Sequence, residues 1–239
     1  MVNFNSNICS RNIKELYPFY DYIEKNNDQE WHNHRMGNSI DYIYGFIKNI
    51  IKKKSECIIL DVGDYEYVFT KALQDVLGCK ILNTKGDLRY PNNVCENTNA
   101  DIILLMEVIE HLPDIDNNNG EVFKYTGIKG MLRNIVNYAS PDCLIFITTP
   151  NLCSYSSIHK LLIGEHPYNW QPHPRELTIN ELVKLFNEFN LSIINMSTYR
   201  SWAWYSDDIL EEIKKIISKI NKSSDKNRED NLFFLLKKK

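Results

Sequence analysis

The segment DIILLMEVIEHL, residues 101–112, decides the fold of this 239-residue chain. It begins with a short continuous apolar run, which is the pattern of a strand buried on both faces of a parallel sheet, and turns acidic at Glu107. Similar runs lie at 57–62 and 143–148, a weaker one lies at 80–83, and a further strand is predicted at 191–196. Segments with apolar residues at helical spacing separate these runs. The alternation predicts an α/β fold in which helices cover both faces of a parallel sheet.

The pattern divides the chain into three expected parts. Residues 1–54 are predicted to form an N-terminal helical cap, residues 55–221 the α/β domain and residues 222–239 a charged C-terminal tail. The second helix of the cap follows Asn38 and Ser39, which are candidate N-cap residues.

A long loop rich in histidine, proline and aromatic residues is expected at about 150–176. Thr178 and Glu181 then stand at the spacing of a capping box, which predicts that a helix begins there. In open α/β sheets, ligands bind outside the carboxyl ends of the strands. The positions that bear on function are therefore 63–67, 107–111 and 149–151.

Bulk composition limits the classes of partner. The formal net charge is -3 and the pI about 6.1, so the chain has no general attraction for nucleic acid or an anionic membrane. No run approaches the roughly 20 apolar residues of a membrane helix, and the polar N-terminus predicts no signal peptide. The six cysteines form no CxxC pair and predict reduced core thiols. We expect a cytoplasmic enzyme with a small-molecule partner; the oligomeric state stays open.

Four stretches together resemble the class I S-adenosylmethionine-dependent methyltransferases. ILDVG at 59–63 resembles the first motif of that superfamily, and residues 101–112 resemble its fourth-strand segment with EVIEHL. IFITTPN at 145–151 resembles its fifth strand, and HPRELT at 173–178 resembles the HxRExT stretch of many small-molecule members. The resemblance covers roughly 58–196 and implies a shortened Rossmann-like methyltransferase fold.

The resemblance also implies the cofactor, S-adenosyl-L-methionine, and the residues that would bind it. Asp61, at the end of the first strand, would hold the amino group of the methionyl portion, and Asp87 would bind the ribose hydroxyls. The expected cofactor-binding set is Asp61, Gly63, Asp64, Tyr65, Asp87, Leu88, Met106 and Glu107. For Asp87, a solvated turn aspartate is the alternative interpretation.

The chain departs from the family pattern in two places. Where the family has Gly-x-Gly-x-Gly, this chain has Gly63-Asp-Tyr65-Glu-Tyr67, and tyrosine does not adopt a positive φ cheaply. Either the loop bends differently and a tyrosine packs on the ligand, or the site binds the cofactor poorly. The interval from Asp61 to Asp101 is also short for the family, so one strand–helix unit should be reduced.

His111, His173 and Arg175 are the expected catalytic residues. A histidine can take the proton of an acceptor hydroxyl near neutral pH, and an arginine can hold a carboxylate or phosphate of the acceptor. A loop held together by hydrogen bonds among His173, Arg175 and Glu176 is the structural alternative.

Three functions stay open at this point. The first is methyl transfer to an oxygen or nitrogen of a small biosynthetic intermediate, such as a sugar or glycan-pathway metabolite, without a metal. The second is metal-assisted RNA 2′-O-methylation, because related RNA methyltransferases hold a divalent metal through Glu-x-x-Glu-His and a later histidine. The corresponding residues are Glu107, Glu110 and His111 with His166 or His173. The third is a catalytically weak, methyltransferase-like binding subunit.

Overall fold

The apolar runs of the sequence form a six-stranded sheet in the computed structural model. The structure describes residues 13–26, 30–53, 56–63, 67–91, 99–115, 124–201, 206–220 and 227–239. The strands are β1 (Ile58–Asp61), β2 (Lys80–Asn83), β3 (Ala100–Met106), β4 (Ala139–Pro150), β5 (Leu191–Tyr199) and β6 (Asn231–Lys238). The helices are α1 (Tyr17–Asn26), α2 (Glu30–Lys53), α3 (Tyr67–Leu77), α4 (Thr126–Tyr138), α5 (Tyr155–Leu162), α6 (Ile179–Glu188) and α7 (Asp207–Ile220), with short 3-10 helices at Lys14–Leu16 and Ile109–His111.

The strand order is β2-β1-β3-β4-β6-β5, which confirms the predicted Rossmann-like α/β fold. β1 pairs in parallel with β2 and β3, and β3 pairs in parallel with β4. β6 is antiparallel to both of its neighbours, so the sheet is mixed at that strand. β2 and β3 lie on opposite sides of β1. In open α/β sheets the ligand-binding crevice lies at such a point, here at the carboxyl ends of β1 and β3.

Each face of the sheet is covered by its own hydrophobic core. Ile103 and Leu105 of β3 pack with α4 and α6, while the alternate residues Ile102, Leu104 and Met106 pack with α1, α2 and α3. The helices predicted as an N-terminal cap therefore form an outer layer on one face of the sheet. All seven residues of β3 are buried, which explains why the run from Ile102 to Met106 is continuously apolar rather than alternating.

The C-terminal end is not the predicted charged tail. Within 222–239, residues 231–238 form β6, which lies between β4 and β5, and its first six residues are buried. The run Leu-Phe-Phe-Leu-Leu at 232–236 has no polar face and therefore requires burial on both sides. Only the terminal lysines reach solvent, where Lys237 pairs with Asp142 at 2.9 Å.

The structure settles four other local predictions. The loop expected at 150–176 contains α5, whose N-terminus is capped by the Ser154 hydroxyl. α2 begins before Asn38 and Ser39, so these residues lie inside the helix and do not cap it. The capping box predicted at Thr178 and Glu181 is present at the start of α6. Among the described residues between β2 and β3 there is no helix, as expected from the short interval.

No helix in the described parts of the chain combines the length and the apolar character that crossing a membrane requires.

Two helical glycines give opposite expectations for substitution by alanine. A Cβ on Gly130 of α4 would lie 2.4 Å from the backbone oxygen of Arg89, whereas a Cβ on Gly45 of α2 would meet nothing within 4 Å. Gly45→Ala should therefore raise the free energy of unfolding by about 0.5–1 kcal/mol, since alanine restricts the unfolded chain. Gly130→Ala should lower it by about 1–3 kcal/mol through overpacking. Urea unfolding of both variants measures this, and stabilisation by Gly130→Ala would contradict the packing described.

Candidate functional site

The crevice at the carboxyl edge of the sheet collects most of the predicted site residues. Asp61 ends β1 and is buried, Met106 ends β3, and Glu107 follows it. Asp64 and Tyr65 lie outside the described residues. The site is therefore built from the chain directly after β1, β2, β3 and β4, together with residues of the 163–178 loop.

The turn after β1 leaves room only for glycine at position 63. Gly63 has φ +105°, and a Cβ placed on it would lie 2.8 Å from Cγ2 of Val108. Its N–H donates to the Thr84 hydroxyl at 3.0 Å, which ties the turn to the end of β2. The backbone thus passes close to the segment after β3, as a close-approach ligand turn requires.

Asp87 lies in the turn after β2, where Arg89 holds it. The Arg89 guanidinium donates through Nε to Oδ1 at 2.9 Å and through a terminal nitrogen to Oδ2 at 2.6 Å. These hydrogen bonds hold the pKa of Asp87 below its usual range. Both carboxylate oxygens already accept from Arg89, so a role on the ribose hydroxyls would have to share that pair.

Two apolar side chains predicted to line the cofactor site have different surroundings. Met106 is buried on the face covered by α2, whereas Leu88 is half-buried and packs against the core on the opposite face. The carbonyl of Leu88 accepts a hydrogen bond from Asn134 of α4 at 3.1 Å. That bond fixes the turn after β2 against the helix layer.

Glu107 turns the chain sharply after β3. Its φ of 56° is in the left-handed region, which costs a non-glycine residue about 1–3 kcal/mol. Its N–H donates to the Thr148 carbonyl at 3.0 Å, and its side chain accepts from Asn231 Nδ2 at 2.9 Å. The sequence pattern did not identify Asn231, because nothing near position 107 indicates a partner on β6.

Glu110 is the most deeply buried acid of the site. It is 0% exposed, and its Oε2 accepts from the Thr149 hydroxyl at 2.9 Å. Its Oε1 is buried and has no hydrogen-bond partner among the described residues. Burial raises the pKa of Glu110 well above its usual range, and the charges of Glu107 and Glu176 raise it further. This carboxyl therefore loses its proton at a higher pH than an ordinary glutamate does.

His111 and His173 meet edge to face beside Glu110. Their ring centroids are 4.7 Å apart, and the indole of Trp170 contacts both rings at 5.6 and 5.1 Å. Burial lowers the pKa of His111, and the neighbouring His173 lowers it further. His111 lies just after β3 and His173 lies in the distant loop, so the fold brings these two residues together.

A buried carboxylate orients the His173 ring. Glu176 Oε1 accepts from the backbone N–H of Asn169 at 2.6 Å and of Trp170 at 3.2 Å, and lies 2.8 Å from His173 Nδ1. Since this oxygen is already an acceptor, Nδ1 carries the proton and donates to it. The Nε2 atom of His173 is then an acceptor. From the sequence alone, Glu176 is expected only as a member of the hydrogen-bonded loop with His173 and Arg175.

Arg175 contacts the site through its backbone and points its side chain elsewhere. Its N–H lies 3.5 Å from the Glu110 carbonyl, while its guanidinium bonds Asp114 at 3.2 Å and stacks over the Tyr125 ring at 4.5 Å. The structure therefore places Arg175 beside the two histidines, with its charge held by an acid and an aromatic ring.

One group of side chains has the geometry of a metal site. Glu110, His111 and His173 each offer a ligand atom, and these atoms lie within 4.8 Å of one another. His166, the other histidine considered for such a site, instead accepts from the Tyr168 N–H at 3.3 Å and is exposed. The nitrogen and oxygen donors suit a divalent transition metal such as Mn²⁺ or Zn²⁺.

Two solved structures of methyltransferases are similar to this chain in fold. An S-adenosylmethionine-dependent methyltransferase from Clostridium acetobutylicum ATCC 824 is 12% identical, with TM-score 0.52 over 94% of this chain and 98% of that one. A putative sarcosine dimethylglycine methyltransferase from Galdieria sulphuraria is 12% identical, with TM-score 0.50 over 86% of this chain and 88% of that one. No family model and no curated protein matches the sequence. The protein therefore has the fold of the class I S-adenosylmethionine-dependent methyltransferases.

The raised pKa of Glu110 predicts a pH-dependent gain in stability for Glu110→Gln. Below pH 4.5, the ordinary value, the carboxyl is protonated in both the folded and the unfolded state, so variant and parent should differ little. Above it, the unfolded carboxyl ionises at a lower pH than the folded one, whose pKa is raised by burial and by the charges of Glu107 and Glu176. The parent then loses stability as pH rises and the glutamine variant does not.

Thermal unfolding in the presence of a chelator measures this effect. The melting temperature of Glu110→Gln should exceed that of the parent by a margin that grows as the pH rises above about 5. Glu165→Gln, at an exposed glutamate of the same loop region, is the control and should show no such trend. A glutamine variant that is less stable than the parent across the whole range would refute the assignment.

Proposed function

We propose that the protein transfers a methyl group from S-adenosylmethionine to an oxygen or nitrogen of a small biosynthetic intermediate, such as a sugar or glycan-pathway metabolite. The observation that carries this proposal is the pairing of His173 with buried Glu176 beside the crevice of a methyltransferase fold. It supplies a proton acceptor where the acceptor hydroxyl would lie.

The residues at the carboxyl edge fit the cofactor. Gly63 gives a turn in which the backbone comes close to its surroundings, with no space for a Cβ. Asp61, buried at the end of β1, is the proposed partner of the ligand's amino group, and Glu107 is the proposed acid on the other side of the crevice. S-adenosylmethionine, when bound, supplies an activated methyl group that leaves its sulfur for the acceptor atom.

His173 is the proposed general base for a hydroxyl acceptor. An acceptor hydroxyl would give up its proton to His173 Nε2 as it becomes methylated. In the imidazolium that results, the Nδ1–H still donates to Glu176, so the positive charge forms next to an acid. His111, whose pKa is lowered by burial and by His173, stays neutral beside it. The remaining contribution of the protein is to position the reactants and to exclude water.

The acceptor side of the site favours a small molecule. Trp170 is 53% exposed while its ring contacts both histidines, so it offers a stacking surface next to the proposed base. Arg175 is already paired with Asp114, and the net charge of -3 gives no attraction for a polyanion. Both features suit a compact acceptor with an apolar or ring face.

The close approach of Gly63 to Val108 predicts how cofactor binding responds to substitution. Gly63→Ala should weaken binding of S-adenosylhomocysteine by about tenfold or more, because the new Cβ displaces either the turn or Val108. Gly78→Ala is the matched control, since Gly78 also has a positive φ, +68°, but has nothing within 4 Å and ends α3 away from the site. It should lose stability and keep its affinity.

Isothermal titration calorimetry with S-adenosylmethionine and S-adenosylhomocysteine makes the measurement. Absence of binding to both ligands at millimolar concentration would refute the proposed activity and would support the methyltransferase-like binding subunit. Equal loss of affinity in the two glycine variants would show that the turn after β1 is not part of the cofactor site.

The second candidate function is metal-assisted methyl transfer to the 2′-hydroxyl of RNA, which the Glu110, His111 and His173 group favours. Under this alternative, a divalent cation would bind the unpartnered Oε1 of Glu110 and replace its proton. His173 would then act as a ligand through Nε2, with Nδ1 still held by Glu176, as metal-bound histidines commonly are.

Metal titration separates the two candidates. If the second is right, Mn²⁺ should bind the parent stoichiometrically, and His173→Ala should remove that binding. His166→Ala is the control, because His166 lies outside the group and should leave Mn²⁺ binding unchanged. No Mn²⁺ binding to the parent in equilibrium dialysis would leave the metal-free mechanism with His173 as the base.

A further inference from the structure

The last strand of the chain reaches the functional edge of the sheet with its first residue. Because β6 runs antiparallel to its neighbours, Asn231 lies where the parallel strands end, in register with Pro150 of β4 and Tyr199 of β5. Asn231 is 0% exposed, although the five residues that follow it in the strand are apolar. A buried amide at the head of an apolar strand calls for a specific partner.

That partner is Glu107. Asn231 Nδ2 donates to Glu107 Oε1 at 2.9 Å, across 124 residues of sequence. The backbone of Glu107 lies in the left-handed region and donates its N–H to the Thr148 carbonyl, and the hydrogen bond from Asn231 orients its carboxylate. Glu107 retains 6% exposure, which places it at the boundary between the core and the crevice.

The position of Asn231 is itself fixed on several sides. The carbonyl of the preceding residue, Asp230, accepts from Asn151 N–H at 2.9 Å and from Asn169 Nδ2 at 3.4 Å. The Asp230 carboxylate accepts from Ser201 N–H at 2.6 Å. Asn169 also donates its backbone N–H to Glu176, so one residue joins the start of β6 to the carboxylate that orients His173.

The chemistry of position 231 selects an amide. An aspartate there would put a second carboxylate against Glu107, and a leucine would leave Glu107 Oε1 without its donor. The Oδ1 atom of Asn231 is buried and has no hydrogen-bond partner among the described residues, so the side chain is retained at some cost to stability. Packing alone would favour an apolar residue, as in the rest of the strand.

We propose that Asn231 is a positioning residue that holds the Glu107 carboxylate in its orientation toward the cofactor, so that the C-terminal strand controls cofactor affinity. This inference rests on the proposed function, in which Glu107 lines the cofactor site. Asn231 acts through Glu107 and makes no contact with the cofactor itself.

A double-mutant cycle with S-adenosylhomocysteine as the probe tests this role. Asn231→Asp should weaken binding by about tenfold to one-hundredfold, the effect of breaking a hydrogen bond to a charged group. In a Glu107→Gln background the same change should alter affinity by less than about threefold, because glutamine can donate to the new aspartate. The melting temperature of each ligand-free variant is measured alongside.

Leu236→Ala is the control for lost stability alone. Leu236 is buried in β6 at the opposite edge of the sheet, so its truncation should lower the melting temperature and leave affinity unchanged. If Asn231→Asp does not fold, Asn231→Ser, which keeps a shorter donor, replaces it in the same cycle.

The outcomes are distinct. Weakened binding that depends on Glu107 and exceeds the effect of Leu236→Ala supports the proposal. If the parent protein binds the ligand and the Asn231 variants bind it equally well, or lose affinity equally in both backgrounds, the positioning role is overturned. The proposed function then stands. Parent protein that binds neither S-adenosylmethionine nor S-adenosylhomocysteine overturns both.

Discussion

The insertion of β6 between β4 and β5 is the constraint on which the rest of the structure depends. Until the last residues of the chain are in place, β4 lacks a neighbour on one side and β5 has no connection to the sheet. The same strand contributes to both hydrophobic cores: Leu232 and Phe234 pack in one, and Phe233 packs in the other. Because β6 pairs with strands that lie much earlier in the sequence, this side of the sheet depends on non-local contacts, which form more slowly than local ones.

The carboxyl edge of the sheet holds several features that lower the stability of the fold. Glu110 is buried with an unpartnered oxygen, Glu107 has a left-handed backbone, and Glu176 is buried in the loop. A buried polar atom without a partner costs about 1–3 kcal/mol, and the strained backbone costs a similar amount. Such features persist only where the surrounding structure fixes them, and they cluster at functional sites. Here β4 and β6 provide that surrounding structure.

The sequence predicted the parallel part of the sheet well, because strands buried on both faces are continuous apolar runs with no competing interpretation. The same signal was present at 232–236 but stood beside lysines at the chain end, and the charge pattern led to the prediction of a tail. The rule that ligands bind at the carboxyl ends of the strands predicts His111 as a site residue, whereas only the family resemblance suggests that His173 lies near it. The contact of Asn231 with Glu107 could not be predicted, since no local pattern links residues that far apart.

The unusual loop after β1 is best understood through the one glycine it keeps. Where related loops have three glycines, this chain has one glycine, Gly63, with tyrosines at 65 and 67. The structure shows two separate reasons for glycine at 63: a φ of +105° and the 2.8 Å contact that a Cβ would make with Val108. Both reasons apply at the first position of the turn, where the chain leaves β1 and passes the segment after β3. The chain therefore differs from the family pattern at 65 and 67 but has glycine at 63, where the backbone geometry depends on it.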